Sequence, residues 1–182
     1  PEIVFSNPIF HPEDTEDDTL EELFKKRIVK SYIIKEIQGI RIGIFGIFGK
    51  EAAEVSPFAR PMKFRDPIET SREMVKTLRE KEKADWIICL SHGGLNRYNA
   101  LSEDERLAKE VPGIDLIVSG HSHTKLEKPL IVNQTLIVQA GVNGKYVGVL
   151  DLAYENRSLK VKEYQLVQID DTIHGDERIQ KK

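Results

Sequence analysis

Two apolar runs of this chain end in the same way, and that repetition constrains the fold more than any other feature. Trp86 to Leu90 leads into Ser91-His92-Gly93-Gly94, and Ile114 to Val118 leads into Ser119-Gly120-His121-Ser122-His123-Thr124. A short apolar run closed by a small residue and a turn is the pattern of a strand buried on both faces. Two such strands would carry three imidazoles to one edge of a sheet, the edge where open α/β sheets place their ligands. Imidazole is a good ligand for zinc, manganese or iron, and in a strand-like His-x-His both rings would point the same way. A single histidine after a strand is ordinarily a turn residue. Three of the chain's 5 histidines at the ends of two matching strands make a site pattern, so His92, His121 and His123 are the candidate metal ligands.

The segments around these strands supply helices. Asp66-Pro67-Ile68-Glu69 is a helix start, with Asp66 as N-cap, Pro67 at the first helical position and Glu69 at the third. Ile68, Met74, Val75 and Leu78 then share one face, and Arg72, Lys76, Arg79 and Lys83 are expected in water. After an expected polar loop over 96–101, Ser102-Glu103-Asp104-Glu105 is a capping box for a second helix through Glu110, which Pro112-Gly113 stops. The alternation of strand and helix predicts a largely parallel α/β sheet at the centre.

Toward the two ends the pattern changes. Ile3 to Asn7 reads as a short buried strand, and the acidic stretch from His11 to Glu22 reads as a solvated loop with His11 on the surface. Ile28–Ile37 and Ile40–Phe48, joined by Gln38-Gly39, read as a β-hairpin. After Pro129 come short consecutive strands over Leu130–Val132, Leu136–Gln139, Tyr146–Tyr154 and Leu159–Ile169, with turn signals at Asn133-Gln134 and over 155–158. This division places one domain over residues 1–171 and a charged tail or linker, with a solvated His174, over 172–182.

Several other chemistries are set aside on the residues themselves. The run Gly43-Ile44-Phe45-Gly46-Ile47-Phe48-Gly49-Lys50 has neither the glycine nor the Ser/Thr placement of a phosphate loop, so its glycines are expected to serve close packing. Ser122 and Thr124 are expected to be turn hydroxyls, because no histidine and carboxylate are placed to activate them. Cys89, the single cysteine, sits inside an apolar run and is expected to be a buried structural thiol. The net charge of -3 gives no basic footprint for a nucleic acid polymer, and no apolar run is long enough to span a membrane.

Leu90-Ser91-His92-Gly93, Gly120-His121-Ser122-His123-Thr124, and Gln139-Ala140-Gly141 with Gly144 and Gly148 before Val149-Leu150-Asp151-Leu152 resemble, in order and spacing, the calcineurin-like metallophosphoesterases. Within them the sequence is most similar to the 5'-nucleotidase branch, from Ser6-Asn7 to about Asp171. The resemblance implies part of a four-layer α/β/β/α sandwich with mixed sheets. It also implies a divalent-metal hydrolase of nucleotide phosphates or related phosphoesters, acting by attack of metal-bound hydroxide. Two metal ions (zinc, manganese, iron or cobalt) are implied, His92 and His121 binding one and His123 the other. UDP-sugar hydrolysis, cyclic-nucleotide hydrolysis and a non-catalytic module of the same fold remain open at this point.

Members of that family begin with Asp-x-His, a Gly-Asp pair and Gly-Asn-His-Glu/Asp, which supply further ligands and a catalytic histidine. None is present here: Asp171-Thr172-Ile173-His174 has the wrong spacing, and Gly175-Asp176 comes too late. No catalytic residue is therefore assigned within the chain. It reads as the second half of a catalytic domain, with the N-terminal half as its missing partner, and is expected to be nearly inactive alone. A periplasmic or extracellular setting is implied by the resemblance only.

Overall fold

The computed structural model describes residues 2–11, 13, 15, 17–57, 62–95, 102–155 and 158–180. In chain order the elements are β1 (Ile3–Val4), β2 (Pro8–Ile9), α1 (Asp18–Lys25), β3 (Val29–Lys30), β4 (Tyr32–Ile37), β5 (Ile40–Phe48), α2 (Lys50–Val55) and β6 (Lys63–Phe64). There follow α3 (Pro67–Lys76), continued by a π-helical turn over Thr77–Lys81, then β7 (Trp86–His92), α4 (Glu103–Glu110) and β8 (Leu116–Ser119). The chain closes with β9 (Leu130–Val132), β10 (Thr135–Val138), β11 (Tyr146–Glu155), β12 (Ser158–Gln168) and α5 (Glu177–Gln180).

A six-stranded sheet in the order β4-β5-β7-β8-β10-β9 forms the centre. Its four inner strands run parallel, and an antiparallel strand lies at each edge, so the sheet is mixed. Strand alternation sends Phe45, Ile47, Ile87, Cys89, Ile117 and Ile137 to one face, where Leu78 after α3 and Leu107 and Ala108 of α4 close the main core. On the other face Leu116, Leu136 and Val138 pack with Leu150, Leu152 and Tyr164 of the two-stranded β11–β12 sheet. Helices, sheet and hairpin are thus three layers of the expected sandwich. The hairpin covers only part of its face: Leu90 and Val118, nearest the histidines, remain 41% and 40% exposed.

The helix starts form as their caps dictate. The Asp66 side chain accepts from the amides of Ile68 and Glu69, and Ser102 and Glu105 complete the reciprocal capping box of α4. The glycines of β5 serve close packing as expected, since a Cβ on Gly46 would lie 2.5 Å from the Val4 carbonyl oxygen. Burial pushes the Cys89 thiol well above its ordinary value and keeps it protonated. Among the described residues no helix is long and apolar enough to cross a membrane.

Four local expectations are corrected. The acidic stretch is not all loop: Leu20, Leu23 and Phe24 share one helical face, Phe24 packs edge-on to Phe10, and Glu21–Lys25 and Glu22–Lys26 pairs line α1. Acidic content hid that period. The strand over Ile28–Ile37 breaks at Ser31, whose carbonyl accepts from the Ser6 hydroxyl, and the piece before the break pairs with β1 instead. In Ile3–Asn7 the burial is inverted, with Ile3 half exposed and Asn7 fully enclosed. The Asn7 amide donates to the Phe48 and Arg65 carbonyls and accepts from the Phe48 amide, replacing a strand neighbour for the end of β5. Arg79 is no solvated charge either. It donates to the carbonyls of Ala84, Asp85 and Gly113 and pairs with Asp115, whose Oδ2 also accepts from the Ile87 amide. That cluster ties the starts of β7 and β8 at the edge opposite the histidines. The polar loop over 96–101 and part of the turn over 155–158 lie outside the described residues.

Ile117 is fully enclosed at the middle of β8. Ile117→Ala should destabilise the chain by ~2–5 kcal/mol through lost burial and the cavity left behind. Chemical denaturation reads this directly, and a change near zero would contradict the packing of the central strand.

Candidate metal centre

The two histidine turns meet at the carboxyl edge of the sheet. The register pairs Ser91 with Ser119 on neighbouring parallel strands, and the strands place His92 and His121 with ring centroids 5.2 Å apart and planes 59° apart. Phe48, opposite His92 on β5, stacks on its imidazole at 5.7 Å and 16°. Gly120 leaves the ring room, because a Cβ on it would press on His92 Nδ1 at 3.0 Å. Burial first, then the neighbouring His121 and His123, hold the His92 imidazole below its ordinary pKa. At neutral pH it is therefore in the uncharged form that metals bind.

The strand-like His-x-His is not found. β8 ends at Ser119, and His121 (φ 70°) and His123 (φ 55°) are both in the left-handed region. A side chain there costs ~1–2 kcal/mol, which the surrounding bonds must offset. They are present: the Ser122 amide donates to the Gly120 carbonyl, Leu95 N–H donates to Ser122 Oγ, and Ser122 lies 3.1 Å from Gln139 Oε1. Gly94 (φ +85°) is placed so that a Cβ would meet the Ser122 Cβ at 3.0 Å, so the two turns interlock. Ser122 and Thr124 are turn hydroxyls as expected. His11 and His174 are exposed, also as expected. The structure brings the rings of His92 and His121 together, while His123 follows His121 by two residues in the same turn. Among the described residues no group of three His, Cys, Asp or Glu side chains is arranged to hold a metal ion. Two adjacent imidazoles, one kept neutral, fit a divalent metal as part of a ligand set.

The residue that sequence reasoning missed is Asp104. It was legible only as part of a capping box, yet its side chain is 1% exposed and reaches past its own helix. Its carboxylate accepts from Ser91 Oγ (2.5 Å), Ser119 Oγ (2.5 Å) and the Gly94 amide (3.1 Å). Its neighbour Glu103 accepts from the amides of Lys50 and Glu51 at the start of α2. A serine following each apolar run was the available signal, but only the fold shows one carboxylate under both.

The sequence matches the family described as calcineurin-like phosphoesterase over residues 12–125. The chain belongs to that family. It is 35% identical over 138 residues to the trifunctional nucleotide phosphoesterase protein YfkN of Bacillus subtilis, spanning 74% of this chain and 9% of that protein. It is 32% identical over 170 residues to a 5'-nucleotidase of Vibrio cholerae, spanning 79% of this chain and 31% of that protein. Its fold superimposes on a 5'-nucleotidase precursor from Thermus thermophilus with a TM-score of 0.72 and 25% identity, covering 92% of this chain and 34% of that one. The chain thus spans less than a third of the length of these two curated relatives, which share 5'-nucleotidase or phosphoesterase names that denote hydrolases. Family membership implies divalent metal ions.

Burial raises the Asp104 carboxyl to about 6, against the opposing pull of Ser119, Ser91 and the Gly94 amide. A raised carboxyl favours the fold fully below its ordinary range and loses that contribution as pH rises through the folded value. The stability of the chain relative to Asp104→Asn should therefore fall between about pH 4 and pH 7, by roughly 3 kcal/mol at most. Denaturant titrations at several pH values measure it; a constant difference would contradict the upward shift of the Asp104 carboxyl.

Proposed function

We propose that this chain is part of a divalent-metal phosphoesterase centre that hydrolyses nucleotide phosphates, with His92 and His121 on one metal and His123 serving a second. The observation that carries this reading is the His92–His121 pair at the carboxyl edge of the sheet, 5.2 Å between ring centroids. The relatives named for nucleotide substrates support the substrate class. When bound, the metal supplies Lewis acidity toward a phosphoryl oxygen and lowers the pKa of water so that it can attack at neutral pH.

The chain's own residues prepare the ligands. His92 offers a neutral imidazole whose plane Phe48 fixes from behind. Gly120 leaves the ring room, and the interlocked turns hold His121 in its left-handed conformation.

Two imidazoles do not complete a two-metal centre, which also needs carboxylate and further ligands. We assign those to the first half of the catalytic domain, packed on the uncovered part of the sheet. A cavity of about 500 Å³ beside His92, lined by Ile3, Phe48, Leu90, Val118 and Gly120, supports this. Exposed apolar side chains around a ligand edge call for a protein partner.

The chain alone, supplied with Mn²⁺, Zn²⁺ or Co²⁺, should release little phosphate from AMP; turnover typical of enzymes would overturn its incompleteness. Joined to the preceding half of the domain, it should show metal-dependent release. His121→Ala should then reduce that release by at least about 100-fold, since even groups behind a metal ligand cost ~10–100-fold. Unchanged turnover in that variant would remove His121 from the centre.

A further inference from the structure

We propose that Asp104 is the positioning residue of this site, a carboxylate that sets the spacing of His92 and His121 without touching either. The inference rests on the metal-binding reading of that pair and goes beyond it by assigning a role to a buried acid.

The start of α4 does not need the Asp104 side chain for itself. Ser102 and Glu105 satisfy the helix end through their capping box, and Glu103 turns aside to cap the amides of Lys50 and Glu51. Asp104 is free to point under the sheet edge, where it is almost wholly enclosed. Burying a carboxylate is unfavourable unless several donors converge on it. Here three do, and each belongs to a histidine turn: Ser91 precedes His92, Gly94 follows it by two residues, and Ser119 precedes His121 by two. The Asp104 amide also donates to the Gly94 carbonyl at 3.3 Å, so one residue grips the first turn from both sides.

The placement of its two oxygens is what the geometry uses. Oδ2 accepts from Ser119 and the Gly94 amide and Oδ1 from Ser91, so an amide of the same shape could keep the Oδ2 pair only by turning N–H toward Ser91 Oγ, whereas removal of the carboxylate frees both turns. Gln139 Oε1 lies 3.2 Å from Ser119 Oγ and accepts from the Ser122 hydroxyl beside His121. Both sides of the imidazole pair are thus referred to one buried group, and movement of either turn would change the distance between the rings. Outer groups that orient ligands in this way commonly govern metal affinity.

The test is titration of the full chain with Co²⁺, read by displacement of the assigned His92 and His121 ring-proton signals in NMR, with circular dichroism confirming the folded state. Asp104→Ala, which removes both acceptor oxygens, should weaken Co²⁺ binding by about 10–100-fold. Ser119→Ala, which leaves two of the three donors, should weaken it less, and His92→Ala should abolish the response. A merely structural Asp104 would lower the unfolding temperature and leave Co²⁺ affinity of the folded chain unchanged, which overturns the proposal. If Asp104→Ala does not fold, Ser119→Ala decides by the same criterion. Binding unaffected by His92→Ala would sink the metal-site reading and this proposal with it, an outcome distinct from a failure of Asp104 alone.

Discussion

A carboxylate buried without a cationic partner is held only by hydrogen bonds, and at Asp104 those bonds come from the two segments that carry the histidines. That constraint organises the carboxyl edge of the sheet. Ser91 and Ser119 pair across β7 and β8, and the carboxylate beneath them lets the turns diverge above without drifting apart. At the opposite edge Arg79 and Asp115 perform the corresponding task for the starts of the same strands. Between the two polar clusters lies the apolar core of Ile87, Cys89 and Ile117. The strands are thus fixed at both ends and packed along their middle.

Local rules made most of the scaffold legible in the sequence. Caps at Asp66 and Ser102, the Gln38-Gly39 turn, the apolar runs and the late strands all depend on neighbours in sequence, and they form where expected. What could not be read depends on partners far along the chain. Asn7 acts as a backbone substitute for Phe48, 41 residues away. Arg79 and Asp104 are charges whose burial follows from tertiary contacts, and nothing in helix periodicity marks them as different from solvated neighbours. α1 was hidden for a simpler reason, since its acidic residues masked the shared face of Leu20, Leu23 and Phe24.

At the site itself the three histidines were visible as a pattern, while their conformation was not. A strand-like His-x-His would have shared one direction; the left-handed backbone at His121 and His123 breaks that alternation. Such a conformation persists only where surrounding bonds over-determine it, and it gathers at functional sites. Ser122, Gln139, Leu95 and Gly94 provide that over-determination here. Membership of the calcineurin-like phosphoesterases is consistent with this arrangement. Leu90 and Val118 stay uncovered on the same face of the sheet, beside the histidines.

The most direct test of the account is anomalous X-ray diffraction from crystals of the chain grown with Zn²⁺. The account predicts a zinc peak shared by His92 and His121, at about 2.0–2.1 Å from one nitrogen of each ring. A zinc ion bound elsewhere, with both of these imidazoles free, would contradict it.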